Sequence, residues 1–242
     1  MKLTRTAGER STGPTGRYGI GTGWYRAAVP KRSPTKRGSR SSSGGYDPER
    51  TRQALIDEAL KLFGSQGYAV TSVQEITEAA GVTKGAFYHH FDSKEALLKV
   101  IHDQFLDLQL EMLKDALATE ADAEARLREL LRTLLVSSAR YQANVTVFYL
   151  ERRHLSGERY KEMRRKRDEF DRLFLEVIKR GVEEGAFRKD LDARMVSLGI
   201  LGMCAWVHQW YRPRGRFKAD EIADIFAEMV LDGIVVDAPA RS

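Results

Sequence analysis

The chain is predicted to be all-α, and three observations predict it. Apolar residues recur at helical spacing from Pro48 to Val235, and no stretch shows the two-residue alternation of a half-buried strand. The third observation is punctuation. Asp47-Pro48, Ser72, Thr83 and Asp92 stand where helices start, and Gly67 and Gly81 stand where they stop. With 242 residues and 42% hydrophobic content, the chain can build one substantial core or two small domains.

Residues 1–45 come first and do not fit this pattern. They hold nine glycines, ten Lys/Arg against the single acid Glu9, and little apolar periodicity, so they are expected to form a disordered basic tail. Two readings stay open for this tail: an arm that grazes DNA, or translation from an upstream start. The segment Gly19–Gly23 (GIGTG) lacks a preceding strand and the full dinucleotide-loop spacing, and carries no weight.

The ordered part opens with PERTRQALIDEALKLFGSQG, Pro48 to Gly67. Asp47 caps it, Pro48 occupies the first helical position, and Leu55, Ile56, Ala59, Leu60 and Phe63 form one apolar stripe. Next comes TSVQEITEAAGVTKGAFYHHF, Thr71 to Phe91. Ser72-x-x-Glu75 is a capping box that starts a short helix, with Val73, Ile76 and Ala80 on one side and Gly81 at its end. Thr83 caps a second short helix whose inward residues are Phe87 and Phe91. Two short helices joined by a tight glycine turn make a helix-turn-helix. Asp92-x-x-Glu95 reads as another capping box, so a long helix follows at 93–118. Further helices are expected near 122–141, 143–155, 158–184, 192–211 and 218–235, with a tail at 237–242.

Charge follows the same division. The net charge of +6 belongs to the tail, because residues 46–242 hold 30 basic against 33 acidic residues. Global basicity is therefore no argument for nucleic acid. One cysteine, Cys204, excludes a disulfide framework and fits a reducing compartment, so a cytoplasmic location is expected. No apolar run reaches the ~18 residues of a membrane span, and no secretory apolar segment is present at the N-terminus.

The crowded turn Tyr88-His89-His90 admits several chemistries. Adjacent histidines point in different directions on a helix and do not chelate one ion as an i, i+4 pair would. No metal site and no catalytic residue is therefore expected. Contact with DNA fits the turn better, although Phe87 and Phe91 read as core and His90 also serves to brace the turn.

The segment VQEITEAAGVTKGAFYHHFDSKEALL resembles the DNA-binding signature of the TetR family of bacterial repressors, over roughly residues 48–98. The resemblance implies a three-helix DNA-binding domain at 46–98 and an effector-binding and dimerisation domain at 99–236. It places Thr71 and Ser72 at phosphate contacts, and Thr83, Lys84 and Gly85 near bases. Tyr88, His89 and His90 match its phosphate- and base-contacting turn, and Lys94 its phosphate-anchoring lysine.

Farther on, VFYLERRHLSGERYKEMRRKRDEF, GVEEGAFRKDLDARM and WYRPRGRF resemble the branch regulating lipid, fatty-acid and steroid catabolism, whose effectors are often acyl-CoA thioesters. That likeness implies a small hydrophobic effector and no cofactor. Phe105, Leu108, Phe148, Tyr149, Phe170, Phe174, Met203 and Trp206 are the candidate wall of an apolar cavity. Arg152 and Arg165, with Arg153 and Arg164, are candidates for a nucleotide's phosphates. For each aromatic the competing reading is plain core, and for each arginine a solvated face with local ion pairs.

The helices at 192–211 and 218–235 read as a homodimer interface. Gly199, Gly202 and Ala205 permit close approach, and Ile222, Ile225, Phe226, Met229 and Val230 form a stripe wider than a solvated helix should expose. The expected function is a homodimeric, ligand-responsive repressor on a palindromic double-stranded DNA operator, released by effector, with no enzymatic activity and no membrane. The alternatives are a sequence-independent architectural protein acting through the tail, or an acyl-CoA-binding enzyme.

Overall fold

The structure is a computed structural model and describes residues 47–118 and 121–236. The tail readings for 1–45 and 237–242 lie outside these residues. Within them the chain is helical throughout: α1 (Pro48–Gln66), α2 (Val73–Ala80), α3 (Lys84–His90), α4 (Lys94–Leu117), α5 (Ala123–Arg140), α6 (Gln142–Glu151), α7 (Gly157–Glu183), α8 (Ala193–Trp210) and α9 (Ala219–Ile234), with one 3-10 turn at Arg152–His154. The only pairing of extended backbone among the described residues is the single antiparallel bridge Phe187–Val235.

Local chemistry sets the first boundaries where the sequence places them. Asp47 accepts from the Arg50 amide and caps α1, whose stripe Leu55, Ile56, Ala59, Leu60 and Phe63 is buried. Ser72 and Glu75 form a complete capping box on α2. That helix ends at Gly81, whose φ of 68° lies in the left-handed region that favours glycine. Thr83 caps α3 through the Ala86 amide.

The start of α4 departs by one residue. Ser93, not Asp92, accepts from the Ala96 amide, so the expected Asp92–Glu95 box does not form. Glu95 turns instead to the α6–α7 connection, where it accepts from the Ser156 amide and hydroxyl at 2.8 and 2.9 Å. α4 then runs without a break through residue 98, so the division expected there falls inside a helix.

The main core lies among α4, α5, α7, α8 and α9, with Leu127, Leu131, Leu135, Phe174, Ile178, Phe187 and Cys204 at its centre. Gly181 on α7 is fixed by one neighbour. A Cβ there would lie 2.1 Å from the Phe187 ring. That ring is fully buried, and the Phe187 amide donates to the Gly181 carbonyl at 2.9 Å, so neither partner has room to retreat. Gly181→Ala is therefore expected to cost about 1–3 kcal/mol by overpacking. Urea unfolding checks the loss, and adding Phe187→Leu should restore part of it.

Candidate DNA-reading surface and effector cavity

α3 buries one side chain, Phe87, and leaves the rest of its surface outward. Lys84, Gly85 and His89 are exposed, Tyr88 is 55% exposed, and His90 is half-buried. Phe87 anchors this face from beneath and meets Tyr88 edge-on at 5.2 Å and Phe91 at 5.7 Å. Internal packing does not require glycine at 85: an added Cβ would meet only the Thr83 hydroxyl, at 3.7 Å. Its bare backbone keeps the outer face open to close approach.

Burial, then His89, then Arg52 hold the His90 imidazole below the ordinary histidine range, which favours its neutral form at pH 7. The two histidine rings pack edge-to-face at 5.1 Å. No group of His, Cys, Asp and Glu among the described residues is placed to hold a metal ion.

Two residues matched to phosphate contacts sit elsewhere than expected. Thr71 is buried, and its hydroxyl donates to the Gly67 carbonyl at 2.7 Å, closing the α1–α2 turn. The Lys94 ammonium donates to the carbonyls of Tyr68 at 2.7 Å and Thr71 at 2.6 Å and lies over the Tyr68 ring at 4.3 Å. Burial lowers its pKa. Lys94 is thus a tether between α4 and the turn before α2 rather than a free surface cation, because unpaired carbonyls beside it leave the charge a better partner inside. Ser72 and Thr83 remain exposed at their helix starts.

A narrow cavity opens among α4, α5, α6, α7 and α8, lined by Phe105, Leu106, Gln109, Leu134, Ser138, Val145, Phe148, Tyr149, Arg167, Phe170, Leu201 and Ala205. Its interior holds little more than a water, although the empty space including the open mouth is about 350 Å³. Four of the expected wall residues meet there: Phe105, Phe148, Tyr149 and Phe170.

The others do not. Phe174 is fully buried in the main core, and Met203 packs against that core. Leu108 is half-buried and takes no part in the lining. Trp206 is 64% exposed, so the wall reading for it is withdrawn. Arg152 is exposed and stands over the Tyr149 ring at 5.5 Å, beside the cavity. Arg165 lies on the outer face of α7, bonded to Glu158 at 3.0 Å. Arg164 and Arg153 are exposed as well.

The charged residue that does enter the lining is Arg167, which the sequence reading passed over. Helix phase was the available signal. Arg167 stands four residues after buried Met163 and three before buried Phe170, on the inward face of α7. Arg165 is only two residues from Met163 and faces out.

α8 and α9 present an open apolar face. Met195, Leu198, Trp206 and Trp210 follow one another at helical spacing on α8, all exposed, with Gly199 and Gly202 between them. Added Cβ atoms at both glycines would meet nothing within 4 Å. Ile225 and Met229 are the exposed counterparts on α9, whereas Ile222 turns inward and is buried.

Comparison with known proteins bears on both halves. Residues 55–101 match the family model described as bacterial regulatory proteins, tetR family, and residues 120–234 match a tetracyclin repressor-like C-terminal domain. The HTH-type transcriptional repressor KstR2 of Rhodococcus jostii strain RHA1 is 35% identical over 185 residues, covering 76% of this chain and 90% of that protein. The structure of the ketosteroid transcriptional regulator KstR2 of Mycobacterium tuberculosis superposes with a TM-score of 0.71 at 29% identity, over 77% of this chain and 95% of that one. AibR, solved in complex with isovaleryl coenzyme A and operator DNA, superposes with a TM-score of 0.69 at 28% identity, over 74% of this chain and 97% of that one. These relatives are transcriptional regulators rather than enzymes, and with the outward α3 anchored on Phe87 they settle the class: this chain belongs to the TetR family of bacterial transcriptional regulators.

Proposed function

We propose that the protein is a homodimeric cytoplasmic repressor that binds a palindromic operator and is released by an acyl-CoA thioester. One observation carries the reading. α4 begins three residues after the reading helix α3 and, farther along, supplies Phe105, Leu106 and Gln109 to the cavity wall. A ligand that moves α4 therefore moves the reading helix.

The cavity must widen to take an acyl chain, and the contacts that close it permit this. Lys99–Glu162 at 2.8 Å, Lys114–Glu169 at 2.6 Å and Lys166–Asp107 at 2.7 Å join α4 to α7. These pairs lie near the surface, where each contributes at most about 1 kcal/mol. Two exposed faces of α8 and α9, packed against each other, would bury the apolar stripe and set two α3 helices on one side of a duplex. Half-sites must then lie about 34–36 Å apart, one turn of B-DNA, so a small tilt of α4 spoils the fit. A roughly 100-fold preference of ligand for the spread state is about 2.7 kcal/mol, ordinary for allosteric coupling. No helix among the described residues is long and apolar enough to cross a membrane, which is compatible with this location.

The relatives support the ligand class only by likeness. AibR was solved with an acyl-CoA, and Arg152 stands beside the cavity where a nucleotide handle could be met. A long-chain or polycyclic acyl-CoA, but not free CoA, should release DNA bound to the full-length protein, as read by fluorescence anisotropy. Arg152→Ala should raise the concentration required. If a panel of thioesters neither shifts the melting curve nor releases DNA, the effector class is wrong and the DNA-binding assignment stands.

A further inference from the structure

Four polar side chains, Gln109, Ser138, Tyr149 and Arg167, interrupt the hydrocarbon wall of the cavity. Arg167 is the one that carries charge, and its setting is unlike that of the other α7 arginines. Its guanidinium lies 4.7 Å from the centre of the Phe170 ring, 5.9 Å from Tyr149 and 6.0 Å from Phe148. Three rings thus fix its plane. Nε donates to Asp171 at 2.9 Å, one turn along α7. Nη1 donates to the Tyr149 hydroxyl at 3.3 Å, long for a charged donor, whose bonds usually measure about 2.7–2.9 Å. Nη2 has no acceptor among the described residues.

A guanidinium that served only to pair with Asp171 could do so from the solvated face, as Arg164 does with Asp168. Arg167 instead turns its free donors into an apolar cavity. A plain alkyl chain entering there would cover those donors and give them no acceptor, which is costly. A chain carrying an oxygen would satisfy them.

We propose that Arg167, with the Tyr149 hydroxyl, binds an acceptor oxygen on the acyl portion of the effector, so that the protein selects oxygenated acyl-CoA thioesters over plain alkyl ones. The inference rests on the acyl-CoA reading above. Because Asp171 already neutralises the guanidinium, a neutral ketone should be favoured over a carboxylate, which Asp171 would repel.

The test is calorimetric titration of the full-length protein with decanoyl-CoA, with the set of its positional oxo isomers, and with the mono-CoA thioester of decanedioic acid. At least one oxo isomer should bind roughly tenfold or more tighter than decanoyl-CoA, since a site built to hydrogen-bond rejects the analogue lacking that group. Arg167→Met should erase the preference and leave decanoyl-CoA binding at least as tight. Should that variant fold poorly with Asp171 left unpaired, Arg167→Met with Asp171→Leu removes both charges, and Tyr149→Phe gives a partial loss. A carboxylate binding better than any ketone would still support the acceptor site and identify it as anion-selective. Decanoyl-CoA binding as tightly as every oxygenated ligand, or a preference that survives Arg167→Met, would overturn the inference alone. Failure of all these thioesters to bind would remove the effector reading and this inference together.

Discussion

Lowering the pH from 6.5 to 4 should remove about 3 kcal/mol of folding stability through one residue, His102 on α4. Its imidazole is 1% exposed, packs edge-on against Phe148 at 5.3 Å, and has neither ring nitrogen paired with a protein group. Burial pushes its pKa from the ordinary 6.5 down to about 4; Asp103 opposes that shift and Arg152 adds to it. Between these two values the unfolded chain binds a proton that the folded chain refuses, so stability falls as pH falls across that window and is complete above it. Replacing His102 with leucine should flatten this part of the pH profile. The variant should be no less stable than the parent at pH 7, because two unpaired buried nitrogens disappear with the ring. Urea midpoints measured from pH 4 to 8 decide the matter, and parallel curves for the two proteins would refute it.

The second large effect belongs to the reading helix. Lys84→Ala combined with Tyr88→Ala should cost about 2–4 kcal/mol in affinity for specific DNA while leaving the fold intact. Both side chains are exposed, and Phe87 beneath them, fully buried, holds α3 in place. The only packing lost is the edge contact of Tyr88 on Phe87, so the melting temperature should change by little. Binding to scrambled duplex should fall less than binding to the preferred site. Anisotropy titrations at two salt concentrations separate the two components, since the phosphate share depends on salt and the base share does not.

These expectations show how far local pattern carries. The caps at Asp47, Ser72 and Thr83 were legible because each is settled within three residues of chain. The start of α4 was legible only to within one residue, since Asp92 and Ser93 are both competent caps. Glu95, which would have decided it, is drawn away by Ser156, 61 residues along the chain.

Lys94 shows the same limit from the other side. Its charge is visible in the sequence, but the carbonyls of Tyr68 and Thr71 that claim it become neighbours only after folding. In the cavity, aromatic identity found Phe105, Phe148, Tyr149 and Phe170, while helix phase would have been needed to choose Arg167 over Arg165 and to send Trp206 outward with Met195, Leu198 and Trp210. Trp206 read as wall because it is large and apolar; its neighbours Cys204 and Val207 hold the inward positions.

Selection of a random double-stranded DNA library on the full-length protein tests the central claim most directly. The account predicts enrichment of a two-fold symmetric motif with half-sites about one helical turn apart, bound by two chains, and no such enrichment by the Lys84→Ala, Tyr88→Ala variant. Enrichment without symmetry, or enrichment that the double substitution leaves undiminished, would contradict it.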